Sequence, residues 1–188
     1  MSKFLLAVSG PTAAGKGTIL RVLKDSPERY TFSVSYTTRP PREGEIHAHH
    51  YHFITKEEFE EAITNDEFVE YEKVHDNLYG TKRADLGQIL SDGRIPVLEI
   101  DVKGVKNLKE RYEGRVVSIF IEPPSLEVLI ERLEKRGTED EATRNLRISR
   151  IKEEMTYRDQ YDHILVNDTV ERAQKELLEI LDKEEARG

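Results

Sequence analysis

The sequence predicts an α/β fold, a parallel sheet flanked by helices, with an inserted mixed α/β subdomain and a separate charged helical segment. Three observations predict it. Apolar runs at Phe4–Val8, Ile95–Ile100 and Val116–Ile121, with a shorter one at His163–Val166, suit strands buried on both faces. Each run is followed by a stretch of helical periodicity, the alternation that builds parallel sheets. The stretch from Tyr30 to Lys82 breaks that rhythm.

The first run ends at Ser9-Gly10-Pro11 and opens a glycine-rich turn, after which Ile19, Leu20 and Leu23 share a helical face. In the interrupting stretch, Phe32–Ser35, Tyr51–Ile54 and Phe68–Val74 are strand-like. Thr55 with Glu58 three residues on predicts a capped helix between them. Beyond the second run, Val102, Val105, Leu108 and Tyr112 keep helical spacing up to a stop at Gly114. Ser125, after Pro123-Pro124, predicts the N-cap of a helix with Leu126, Leu129, Ile130 and Leu133 inward, ended by Gly137. The run from Arg136 to Asp159 is highly charged, has little apolar periodicity before Ile148 and Ile151, and reads as a mobile, solvent-facing helical hairpin. A last helix, about Val170 to Ala186, turns Leu177, Leu178 and Leu181 to one side.

At 188 residues, 37% hydrophobic and 35% charged, the chain is expected to form one soluble domain with a substantial core. It has no cysteine, which excludes disulfides, thiolate catalysis and cysteine-based zinc sites. That fits a reducing compartment, and the expected location is cytoplasmic. A net charge of -8 argues against nucleic acid as a partner, although a local basic cluster can still take small anions. The five-residue run at Phe4–Val8 is too short for a secretory leader, and no run approaches the ~20 residues of a membrane span. The oligomeric state, monomer or homo-oligomer, is not written in these features.

Gly10-Pro11-Thr12-Ala13-Ala14-Gly15-Lys16 has the spacing G-x-x-x-x-G-K, between an apolar strand and a helix. Glycines let the backbone turn its N–H groups inward around phosphates, and Lys16 adds a point charge. This context reads as a nucleoside-triphosphate loop, so the sheet is expected to be of the P-loop NTPase type. Gly17 stands where the general pattern has a hydroxyl for Mg²⁺, and Thr18 follows one position later. Magnesium is therefore expected to be held mainly by substrate phosphates and water, with Thr18 near a phosphate oxygen. In the segment Ser33 to Glu45, Arg39 and Arg42 stand among hydroxyls. They suit a second phosphate, or simply a polar turn with surface arginines.

Taken with the loop, that segment resembles guanylate kinases. So do Phe68-Val69-Glu70-Tyr71, Asn77-Leu78-Tyr79-Gly80-Thr81, Leu98-Glu99-Ile100-Asp101, Ile121-Glu122-Pro123-Pro124-Ser125, Arg136-Gly137-Thr138-Glu139 and Val166-Asn167-Asp168. These motifs run in family order from near residue 4 to about residue 181. The resemblance implies phosphoryl transfer from ATP, accompanied by Mg²⁺, to GMP. Ser35, Arg39, Arg42, Tyr51 and Tyr79 would hold the GMP phosphate. Glu70 would accept from guanine N1–H and the 2-amino group, and Thr81 would donate to O6. Glu99 and Asp101 match an acidic pair near the base and the reacting phosphates; a solvated strand-end pair is the other reading. Lys16, Arg39, Arg132, Arg136 and Arg147 would surround the reacting groups, although Arg132 and Arg136 also suit a surface ion-pair face. Asn167 matches an adenine contact, or a turn or N-cap residue.

The implied organisation is a core of 1–32, 83–135 and 160–188, a GMP-binding subdomain at about 33–82 and a lid at about 136–159. Ala48 stands where the family commonly has glycine, and Asp76 where glycine usually precedes the asparagine. A non-catalytic interaction module of the same likeness is the competing class, disfavoured by Lys16. A kinase for a ribosyl phosphate is disfavoured by Glu70 with Thr81. His47, His49, His50 and His52 invite a metal reading, but no constellation supports one and no protein metal site is expected.

Overall fold

The computed structural model describes residues 4–74, 76–125, 127–129 and 141–187, excluding the side chains of 141–144 and 147. A five-stranded parallel sheet carries the main core. It comprises β1 (Leu5–Ser9), β2 (Tyr30–Phe32), β7 (Ile95–Glu99), β8 (Val116–Glu122) and β9 (His163–Val166), in the order β2-β7-β1-β8-β9. All five strand-forming residues of β1 are buried, as are most of β7 and β8, which is why these strands read as unbroken apolar runs. β1 lies at the centre, with Val8 beside Glu99 on one flank and Ile119 on the other.

Helices cover both faces. One side holds α1 (Lys16–Leu20), its 3-10 extension Arg21–Asp25 and the C-terminal helix Val170–Arg187, with Leu6, Val8, Ile19, Leu177 and Leu181 in a shared core. The other holds α3 (Arg83–Ser91) and α4 (Val102–Arg111), packed on Leu5, Ala7 and Leu98 through Leu86, Val105 and Leu108. Asp101 caps α4 by accepting from the Gly104 N–H at 2.6 Å.

A second sheet holds β3 (Tyr36–Thr37), β4 (His52–Phe53), β5 (Phe68–Val74) and β6 (Asn77–Lys82), ordered β4-β3-β6-β5 and mixed in direction. The helix α2 (Lys56–Thr64) covers it. Thr55 and Glu58 form the expected reciprocal cap, with bonds of 3.1 and 2.7 Å. Its small core is Phe59, Ala62 and Phe68, with the two phenyl rings stacked at 4.3 Å.

Two expectations need correction. The strand-like piece Phe32–Ser35 does not belong to the insertion as a strand: Tyr30–Phe32 is the edge of the main sheet, in parallel register with Ile95–Val97. A three-residue edge strand needs no long apolar run, and its partner lies far along the chain. Nor is the second half of the charged segment solvent-facing all round, although most of its described residues are exposed. The helix α5 (Glu141–Met155) buries Ile151 completely and packs Met155 on the main core. In the helix foreseen after Pro124, Ser125 Oγ accepts from Val128 N–H at 3.3 Å and Leu129 is buried. Leu126, Ile130, Leu133 and Gly137 lie outside the described residues.

Among the described residues, no helix is long and apolar enough to cross a membrane. Phe59 gives a direct test of the second sheet. Phe59→Ala is expected to cost about 3–5 kcal/mol of local stability. Hydrogen exchange should lose protection in residues 36–82 while strands β1, β7 and β8 keep theirs; uniform loss across both sheets would contradict a separate small core.

Candidate active site

Strand β1 delivers the glycine-rich loop at the carboxyl edge of the sheet, the usual position of a ligand crevice in parallel α/β folds. Two glycines are sterically required there. Gly10 has φ 145°, and a Cβ on it would lie 2.1 Å from the Ile121 carbonyl oxygen. Gly15 has φ 90°, and a Cβ would lie 2.3 Å from Asn167 Nδ2. Ala13 also adopts a positive φ of 67°, a strained value for a residue with a side chain.

Lys16 Nζ donates to the Gly10 carbonyl at 2.7 Å and to that of Pro11 at 3.3 Å. Burial pulls its pKa below the ordinary lysine value, while the charges of Glu99 and Glu154 push it back up. Asn167, 4% exposed, donates Nδ2 to the Ala14 carbonyl at 2.7 Å. Resemblance suggested an adenine contact for this residue; in the structure its amide nitrogen braces the loop. Nor is it an N-cap, since Thr169 opens α6, the helix Val170–Arg187. Glu154, on the last turn of α5, is turned toward the loop, and burial raises its pKa while the charge of Lys16 opposes the rise. Sequence reasoning passed over Glu154 because nothing in a charged helical run marks which carboxylate turns inward.

Beside the loop, Ser35, Tyr51, Glu70, Tyr79, Glu99 and Asp101 line one cleft of about 290 Å³ between the two sheets. The structure therefore gathers six of the nine residues foreseen for the acceptor. Thr81, 1% exposed, stands directly behind Glu70 and donates to its Oε1 at 2.7 Å. Arg39 is partly buried at the cleft edge, with its guanidinium 5.5 Å from the Tyr51 ring centroid. Arg42 is exposed. Arg132 and Arg136 lie outside the described residues, as does the side chain of Arg147.

Glu70 is the buried carboxylate of the cleft. It is 7% exposed, and its pKa is raised to about 7. Burial is the main cause; the charges of Asp101 and Glu72 add to it, and the Thr81 hydroxyl opposes it. Gly104 forms the wall behind this carboxylate: a Cβ there would lie 2.9 Å from Glu70 Oε2 and 3.2 Å from Asp101 Oδ1. A buried acceptor with its partner hydroxyl, open to a cleft, suits a planar ligand that presents paired N–H donors.

The histidines serve the turn. His47 Nδ1 accepts from the Phe53 N–H at 3.2 Å and His50 Nδ1 from the Ile46 N–H at 3.0 Å. Ala48 takes a positive φ of 62°, the backbone that glycine supplies more easily. Among the described residues, no group of three or more His, Asp or Glu is arranged to hold a metal ion alone.

Comparison with known proteins agrees over nearly the whole chain. Residues 2–184 match the family model described as guanylate kinase. The guanylate kinase of Francisella tularensis subsp. holarctica (strain LVS) is 39% identical over 180 residues, covering 94% of this chain and 95% of that protein. That of Clostridium tetani is 42% identical over 183 residues, covering 97% and 87%. The crystal structure of guanylate kinase from Anaplasma phagocytophilum superposes with a TM-score of 0.76 at 30% identity, covering 97% of this chain and 86% of that one.

The brace under the loop is testable without any ligand. Asn167→Ala leaves the buried Ala14 carbonyl without its donor and is expected to cost about 1–3 kcal/mol. Denaturant unfolding checks this, and an unchanged midpoint would show that the bond carries no weight.

Proposed function

The chain belongs to the guanylate kinase family, and on that premise we propose that the loop and the cleft are the donor and acceptor halves of one phosphoryl-transfer site. The enzyme transfers the γ-phosphoryl group of ATP to GMP, giving ADP and GDP. The observation that carries the reading is Glu70, a buried carboxylate paired with Thr81 at the floor of a cleft beside the phosphate loop.

In this reading, Lys16 and the backbone N–H groups of the loop take the ATP phosphates. Ser35, Arg39, Arg42, Tyr51 and Tyr79 hold the GMP phosphate, and Glu70 accepts from guanine N1–H and the 2-amino group. Thr81, whose hydroxyl lies on Glu70, turns toward O6 when the base arrives. Adenine would oppose an acceptor nitrogen to the Glu70 carboxylate and leave buried polar groups unpaired. Arg132, Arg136 and Arg147 complete the cationic surround. Residues 33–82 form the GMP-binding unit, 136–159 the lid, and the remainder the core.

Mg²⁺ would enter with ATP, since Gly17 offers no hydroxyl. The hard oxygens of Glu99 and Asp101 are the groups suited to its water shell. When bound, the ion neutralises charge on the phosphates. The chain's own work is positioning: it sets the acceptor phosphate against the donor, orients the base and keeps the loop N–H groups directed inward. The place of action in this reading is the cytoplasm, a reducing compartment that a chain without cysteine fits.

A coupled ADP-release assay across AMP, CMP, GMP and UMP tests the assignment. GMP should be preferred, by a factor on the order of 10⁴ in a site built to hydrogen-bond its substrate. Equal turnover of AMP, or none of GMP, would sink it. Glu70→Ala should lower kcat/KM for GMP by about 100-fold, because removing one partner of a buried charged hydrogen bond costs about 2–5 kcal/mol.

The raised pKa of Glu70 predicts a pH dependence. Guanine needs the ionised carboxylate, so GMP binding should weaken as pH falls below about 7. For folding the sign is opposite. The buried acid holds its proton more tightly than the unfolded chain, so stability is lost as pH rises from 4.5 toward about 7. The carboxyl carbon-13 resonance of Glu70 should titrate near 7 in the free protein and lower with GMP present. Titration near the ordinary value without ligand would refute this.

A further inference from the structure

We propose that Glu45 is a positioning residue for the acceptor: its carboxylate holds Arg39 and the turn at Arg42 in the geometry that receives the acceptor's phosphate. The proposal rests on reading the cleft as the GMP site. Arg39 Nη1 and Nη2 donate to Glu45 Oε2 and Oε1, each at 2.9 Å, a parallel two-point pair. Oε2 accepts a third bond, from the Arg42 N–H at 2.7 Å. One carboxylate thus ties the side chain of one phosphate-binding arginine to the main chain of the other.

The local backbone is built for this contact. Gly44 adopts φ +81°, and the Glu45 N–H closes the turn onto the Arg42 carbonyl at 3.0 Å. That turn brings Glu45 back over Arg39. The pair is also sheltered: the two side chains are 12% and 18% exposed, against 68% and 58% for the surface pair Lys56–Glu60. The guanidinium is held further by the Pro40 carbonyl, 2.9 Å from Nη1, and by the rings of Tyr51 and Phe53, with centroids at 5.5 and 5.7 Å. Tyr51 itself lines the cleft, so the same guanidinium packs against one of its walls.

A carboxylate beside an anion site is electrostatically costly unless it does something for the cations. Here it pairs with the charge of Arg39 and removes the rotational freedom of a long side chain before the phosphate arrives. The bonds from Arg39 and the Arg42 N–H hold the Glu45 pKa down at about 2, so the clamp stays charged throughout the working pH range.

Glu45→Gln tests it. The amide keeps the shape but sets an NH₂ donor against a guanidinium donor, breaking the fork. The KM for GMP should rise about 10-fold or more, while kcat at saturating GMP and the KM for ATP stay within about two-fold. If Glu45 acts through Arg39, the substitution should add nothing to the KM for GMP in an Arg39→Ala background. An unchanged KM for GMP would overturn the proposal, as would an additive effect in that background. So would a parallel worsening of both KM values with a lowered thermal midpoint, which would mark a merely structural residue. A wild-type chain that does not saturate with GMP would defeat the reading of the cleft itself, before any variant is compared.

Discussion

The pairing of β1 with β7 on one side and β8 on the other is the constraint from which the rest of the site follows. Val8 lies beside Glu99, and Ser9 beside Phe120, so β1 and β7 finish at nearly one level and β8 runs two residues on, to Glu122. From that level the phosphate loop leaves β1, the acidic pair leaves β7, and the Ile121 carbonyl presses against Gly10. A shift of one residue would turn every buried side chain of these strands to the opposite face, so the register is strongly held. The site inherits that rigidity.

Burial then sets the charges. The chain carries a net -8, yet its candidate site depends on a few groups whose surroundings override that average. Lys16 is drawn below the ordinary lysine value by burial and supported by two carboxylates. Glu70 is driven upward by the same physics, with acidic neighbours that add to it. Desolvation disfavours the charged form in both cases.

Backbone contacts narrow the permitted residues as firmly as charge does. Asn167 fills the space that a side chain on Gly15 would need and satisfies the Ala14 carbonyl at the same time. Gly104 leaves room for the Glu70 carboxylate at the start of α4, where Asp101 also caps the helix. Asp101 is therefore both a wall of the cleft and a structural cap. The acidic pair does not divide cleanly into a functional and a structural member.

Much of this was legible in the sequence. The buried strands announced themselves because both faces are covered, and Thr55 with Glu58 marked a helix start by local chemistry alone. The loop could be read because its spacing reports a backbone shape, and six residues that line the cleft because their motifs occur in family order. What the sequence could not decide were matters of distant partnership. Tyr30–Phe32 became a sheet edge only because Ile95–Val97 lies beside it. Ile151 was buried by a core assembled elsewhere, in a helix whose own composition is highly charged. Asn167 turned toward the loop because Ala14, 153 positions away, offered an unpaired carbonyl. Local sequence determines backbone shape and residue chemistry; which side chain meets which depends on long-range packing, and that only the tertiary structure decides.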